Sequence, residues 1–205
     1  MRELPITGYT GLTCLLGHPA KHSISPAMHN EAFHYHGLDY VYLAFDVEEN
    51  RFEQAVDGLI AMNARGWNCT MPFKRAMCER VDVLSEEARL TGSVNTVVQE
   101  NGVLTGYNTD GKGYMRAVKD AGYQIIGGKM TLFGAGGAAA SIIAQAALDG
   151  VRGIDLFARP GASWDAVSQV VSRVNESTDC RICMYELRDT DQMRKSIEDS
   201  AILVN

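Results

Sequence analysis

Apolar positions along the chain alternate between two periods. Short apolar and β-branched runs at Gly11–Gly17, Tyr40–Phe45 and Trp67–Thr70 predict strands. Segments with apolar residues at helical spacing follow each of them: Pro26–Gly37, Glu48–Asn63 and Phe73–Val83, with a shorter helix at Glu86–Leu90. Ser25 reads as the N-cap of the first helix, with Pro26 at its first position and Gly37 at its end. Val94–Val98 and Val103–Tyr107 flank Asn101–Gly102, a dipeptide that tolerates the positive φ angles of a tight hairpin turn. Gly111–Gly122 is helical again.

From Lys129 the rhythm tightens into βα units: strands at Met130–Phe133, Gly153–Phe157, Cys180–Glu186 and Ala201–Val204, and helices at Gly137–Asp149, Ser163–Asn175 and Gln192–Asp199. Such alternation predicts an α/β fold of parallel sheets covered on both faces. Gly127–Gly128 reads as a junction, with the helix from Gly111 linking two lobes. Residues 1–110 then form an N-terminal α/β domain and residues 111–205 a Rossmann-like nucleotide-binding domain. A doubly wound dinucleotide fold has about six strands, so four after Lys129 read as a minimal variant or a lobe truncated at its C-terminus.

Composition narrows the function classes. With 46% hydrophobic and 21% charged residues the chain can bury a core, and a net charge of −6 disfavours nucleic acid or an anionic membrane as partner. No apolar run reaches the ~18 residues of a membrane span, and Met1–Pro5 lacks an export signal. A cytoplasmic location is the expectation. Five cysteines include one C-x-x-C, Cys180 and Cys183; on a strand these face opposite ways, and they read as ordinary reduced thiols.

Gly134, Ala135, Gly136, Gly137, Ala138 and Ala139 match G-x-G-x-x-A between a predicted strand and a predicted helix. A turn without Cβ atoms lets backbone approach a pyrophosphate, and the helix N-terminus offers free N–H groups. The next strand ends Ala158, Arg159, and Asp155 lies too early to reach a ribose. Arg159 can face a 2′-phosphate, which favours NADP over NAD; the alternative is a solvated loop arginine.

Polar residues gather at helix starts in the first lobe. Ser23 and Ser25 offer hydroxyls beside free N–H groups, suited to a carboxylate, although plain capping also explains them. Asn68, Thr70 and Lys74 follow one strand, Asn95 lies before another, and Asp110 follows the hairpin. In an open α/β sheet such turns collect along the edge where ligands sit. In order, S-x-S-P-x-x-H-N, N-x-T-x-P-x-K, V-N-T, G-Y-N-T-D-G and GAGGAA resemble the shikimate dehydrogenases over about residues 11–205. The stretch Val174–Cys180 is similar to the branch that also accepts quinate.

The resemblance implies that Ser23 and Ser25 hold the substrate carboxylate, with Tyr42 a further carboxylate contact in the quinate-accepting branch. It implies that Asn68, Thr70 and Asn95 bind ring hydroxyls, that Lys74 and Asp110 form the catalytic pair, and that Gly134–Ala139 form the cofactor loop. The activity implied is reversible reduction of 3-dehydroshikimate to shikimate by NADPH, with Lys74 donating the proton to the carbonyl oxygen. The chain departs from the family in carrying Ala158 before Arg159, and Gly161 where dual-cofactor members often have Asp; NAD use stays open, and a homodimer is admitted. Family members also continue beyond the position of Asn205.

His18, His22, His29, His34 and His36 crowd one stretch, but no Cys or carboxylate set completes a metal site. Trp67, Trp164, Met28 and Met62 read as packing residues. Rival readings are another two-lobed NADP enzyme, such as a methylene-tetrahydrofolate dehydrogenase, and a non-catalytic binding module.

Overall fold

The computed structural model describes residues 5–205. The expectation for Met1–Leu4 lies outside the described residues. Strands β1 (Gly11–Gly17) and β2 (Tyr40–Asp46) flank helix α1 (Ser25–His36), and helix α2 (Phe52–Ala61) leads into β3 (Gly66–Cys69). A two-residue strand β4 (Val83–Leu84), helix α3 (Glu86–Thr91) and the hairpin β5 (Thr96–Glu100) and β6 (Val103–Tyr107) follow. The second half runs α4 (Asp110–Asp120), β7 (Lys129–Phe133), α5 (Gly137–Leu148), β8 (Gly153–Ala158), α6 (Ala162–Ser177), β9 (Arg181–Glu186), α7 (Thr190–Glu198) and β10 (Ile202–Val204).

The chain forms two compact units, one running through Ala88 and including Ser93–Tyr107, the other comprising Arg89–Gly92 and Asn108–Asn205. The first contains a sheet in the order β2-β1-β3-β5-β6-β4. It is mixed rather than parallel: β1 pairs in parallel with β2 and β3, whereas β5 returns antiparallel to β3 and the hairpin then reverses the chain again into β6. Asn101 and Gly102 take φ of 52° and 79°, as a tight turn with two left-handed residues requires. Alternation along β1 sends Cys14 and Leu16 into a core with Phe52, Val56, Leu59, Trp67 and Met77, while Leu15 joins Tyr42 and Phe33 under α1.

The second unit holds a parallel sheet in the order β10-β7-β8-β9. Its core joins Met130, Leu132, Ile154 and Leu156 to Ile143 and Ala144 of α5 and Val167, Val170 and Val174 of α6. Cys180 sits in this core with Ile182, whereas Cys183 turns to the other face, and all five cysteines are free thiols.

Several expectations are corrected. Phe73–Val83 is not a helix but a series of turns with a 3-10 segment at Ala76–Glu79. The Lys74 carbonyl, which an α-helix would pair with the Cys78 N–H, accepts the Val94 N–H at 2.8 Å instead, and Cys78 N–H turns to Arg75. Ser25 is not the N-cap: Ile24 already has helical dihedrals, so Ser25 opens the helix and its N–H donates to Ser23 Oγ at 3.2 Å. The units do not divide at Gly127–Gly128, because α4 packs on α5 and belongs to the second unit. Met28 and Met62, 58% and 62% exposed, are not packing residues: one lies on the solvent side of α1, the other in the turn after α2. Among the described residues no helix is long and apolar enough to cross a membrane.

The α4–α5 contact depends on Gly111. A Cβ there would lie 2.2 Å from the Ser141 carbonyl oxygen and 2.6 Å from Gln145 Cβ, whereas one at Gly113 on the same helix meets nothing within 4 Å. Gly111→Ala should therefore lower unfolding free energy by about 1–3 kcal/mol, and Gly113→Ala should leave it unchanged or raise it by up to about 1 kcal/mol. Urea midpoints of the two variants check this; equal midpoints contradict it.

Candidate active site

In the first unit the polar residues lie toward the end of the sheet where β1 and β3 finish. Ser23 closes a turn through its N–H to Ala20 O (3.1 Å), and its Oγ accepts the Ser25 N–H that opens α1, so the two serine side chains sit together at the helix start. Thr70 follows β3, its N–H donating to Leu16 O at 3.0 Å. Gly17 makes room for it: a Cβ at that position would lie 2.4 Å from Thr70 Cγ2. Lys74 is half-buried, and the Val94 N–H donating to its carbonyl ties this turn to the segment leading into β5.

A continuous polar network joins four of these residues. Tyr42 OH donates to Asn68 Oδ1 at 2.7 Å, and Asn68 Nδ2 donates to Asn95 O (3.1 Å) and Thr96 Oγ1 (3.0 Å). Thr96 Oγ1 in turn donates to Asn95 Oδ1 at 2.9 Å. Burial pushes the Tyr42 phenol well above its ordinary pKa, so it stays a donor at working pH. Its ring stacks on the His29 imidazole, centroids 4.2 Å apart, and Asn30 clamps the Tyr42 backbone through N–H (2.8 Å) and C=O (2.9 Å) contacts. Burial drives the His29 pKa down and pushes the Cys14 and Cys69 thiols up to about 12, which keeps both inert. His29, Asn30 and Thr96 were not assigned from sequence, although they complete the H-N and V-N-T signatures; in the described residues no group of three or more metal-ligating side chains gathers.

In the second unit, Asn108 is buried, its Nδ2 donating to Thr91 Oγ1 (3.3 Å) and its Oδ1 accepting the Asp110 N–H (3.2 Å) that opens α4. Gly134 has φ of 97°, which favours glycine, and its N–H donates to Phe157 O at 2.9 Å. Gly136 precedes α5 without a side-chain cap, and Cβ atoms at Gly134, Gly136 or Gly137 would meet no protein atom within 4 Å. Gly134 and Gly136 open onto a cleft of 780 Å³, lined also by Ala135, Arg159 and Pro160. Uncapped helix N–H groups, bare backbone and an exposed guanidinium suit a dinucleotide, phosphates at the α5 N-terminus and Arg159 toward a 2′-phosphate. Ala138 lies on the exposed first turn and Ala139 packs inward. Asp155 is 4% exposed and engaged elsewhere, by Ser196 Oγ at 2.5 Å and Lys129 Nζ at 2.9 Å.

A chain with one Rossmann-like unit carrying a glycine turn and one α/β unit carrying hydroxyls and amides fits the class of nucleotide-dependent α/β enzymes, and comparison with known proteins narrows it. Residues 15–97 match the shikimate dehydrogenase substrate binding domain. The chain is 51% identical over 200 residues to shikimate dehydrogenase (NADP(+)) of Listeria monocytogenes, covering 98% of this chain and 69% of that protein. A solved structure of shikimate 5-dehydrogenase from Listeria monocytogenes in complex with shikimate and NAD superimposes with a TM-score of 0.95 at 50% identity, covering 98% of this chain and 70% of that one. The ligand-free 5-ketofructose reductase of a Gluconobacter strain is similar at TM-score 0.81 and 32% identity, over 88% of this chain and 64% of its own. The chain belongs to the shikimate dehydrogenase family.

His29 sets a pH dependence. Its folded pKa lies below the ordinary 6.5, so the unfolded chain binds more protons below that pH, and stability is full above it and declines on acidification. Unfolding free energy should fall as the pH drops below 6.5, and His29→Phe, which keeps the stack, should flatten that decline. An unchanged slope in denaturant titrations would contradict the assignment.

Proposed function

We infer that this chain is an NADP-dependent shikimate dehydrogenase, interconverting shikimate and 3-dehydroshikimate. The observation that carries the reading is the set of hydroxyls and amides, Ser23, Ser25, Asn68, Thr70 and Asn95, near one end of a substrate-domain sheet of this family. When bound, the nicotinamide exchanges hydride with the ring carbon. Ser23 and Ser25 hold the carboxylate with their hydroxyls at the start of α1, Thr70 and Asn95 orient ring hydroxyls, and Asn68 takes another. Tyr42 supports Asn68 from beneath rather than reaching the carboxylate itself, since its hydroxyl is already donated. Lys74 holds the proton that passes to the carbonyl oxygen, with Asp110 as its partner in catalysis. Gly134–Ala139 cradle the phosphates and Arg159 takes the 2′-phosphate. Free thiols throughout agree with a reducing, cytoplasmic setting, and the reading admits a homodimer.

The purified chain should reduce NADP(+) in the presence of shikimate, followed by nicotinamide absorbance, with quinate and NAD(+) as comparisons. Lys74→Ala should lower turnover by ~10²–10⁴ with an unchanged circular dichroism spectrum; activity within a few-fold of the parent would remove Lys74 from the mechanism. Arg159→Ala should weaken NADPH more than NADH, and equal weakening would reject the 2′-phosphate role. Flat traces from a folded parent chain would favour a binding module.

A further inference from the structure

We propose that Thr96 is a positioning residue that makes Asn68 a pure hydrogen-bond acceptor toward the ligand, so that Asn68 selects a ring hydroxyl over a ring ketone. The inference rests on the functional reading above and deepens it. A carboxamide has two N–H donors and one oxygen with two lone pairs. Both Asn68 donors are engaged inside the protein, one by Asn95 O and the other by Thr96 Oγ1, and Tyr42 OH occupies one lone pair of Oδ1. The single remaining valence is an acceptor. A hydroxyl can donate to it; a carbonyl oxygen, having no hydrogen, would face it lone pair to lone pair.

The orientation of this amide is enforced rather than incidental. Thr96 Oγ1 accepts from Asn68 and donates to Asn95 Oδ1, so one hydroxyl fixes two amides. The opposite flip of Asn68 would set its NH₂ against the Tyr42 hydroxyl and its oxygen against both the Asn95 carbonyl and Thr96. Tyr42 holds its side of the arrangement because its phenol stays protonated, its ring is stacked on His29 and its backbone is clamped by Asn30. The antiparallel pairing of Asn68 with Thr96 across β3 and β5 sets the two side chains next to each other on one face of the sheet.

Thr96→Val is nearly isosteric and removes both hydrogen bonds; Thr96→Ser restores them. Isothermal titration with shikimate should show Thr96→Val binding about tenfold more weakly than the parent, Thr96→Ser within about twofold of the parent, and NADP(+) binding equally to all three. Shikimate affinity unchanged by Thr96→Val, or both ligands weakened alike, overturns the proposal. A ligand-independent readout separates it from the function itself: the Asn68 side-chain N–H protons should exchange slowly with solvent in the parent and rapidly in Thr96→Val, and equal exchange overturns the proposal even where shikimate binds. A parent that binds no shikimate removes the functional reading, and with it the role given to Thr96, whatever the exchange rates.

Discussion

Parallel strand pairing sends the C-terminal ends of neighbouring strands to one end of a sheet, and that constraint organises both units. In the first, β1 and β3 end together, and the turns that follow bring Ser23, Ser25 and Thr70 toward the same end. In the second, β7 and β8 end together, and the turns after them carry the bare glycines and Arg159 into one cleft. Helix α5 starts there without a side-chain cap and points N–H groups outward, a natural setting for phosphate, while the serine hydroxyls at the start of α1 suit a carboxylate.

One antiparallel pair extends this logic. Because β5 runs opposite to β3, it is the beginning of β5, not its end, that lies beside the end of β3, and Cys69 N–H donates to Asn95 O at 2.9 Å. The reversal places Asn95 and Thr96 next to Asn68, where a parallel strand would have placed Val98 or Gln99. The hairpin thus contributes polar side chains to a row otherwise built by parallel strands. The buried Asn95 and half-buried Asn68 amides tolerate this position because the network supplies partners within the sheet itself, which offsets the cost of removing them from water. Asp155 shows the same economy in the second unit: it is satisfied by Ser196 and Lys129, and the β8 carboxylate serves the fold rather than a ribose.

Much of this was legible from residue order. The Asn101–Gly102 turn, the βα rhythm after Lys129 and the glycine turn announced themselves because each depends on local dihedral preference or short-range periodicity. What failed depended on distant partners. Phe73–Val83 has helical spacing, but Val94 captures the Lys74 carbonyl from outside the segment. Ser25 looked like a cap because the helical dihedrals of Ile24 leave no trace in composition. The mixed order of the first sheet follows from the hairpin, and β4, two residues long, carries no pattern to read. Among polar residues, those beside glycine, proline or helix starts were found, whereas Thr96 acts only through neighbours that the topology brings to it.

The central claim is that carboxylated ring and dinucleotide are read by separate turns of separate units. Amide and side-chain resonances of the isotope-labelled chain, followed during titration with shikimate and then NADP(+), test it most directly. Shikimate should shift Ser23, Ser25, Asn68, Thr70 and Asn95 and leave the glycine turn still, while NADP(+) should shift Gly134–Ala139 and Arg159. Shikimate shifts centred on the glycine turn, or no response in the first unit at saturating ligand, would contradict the account.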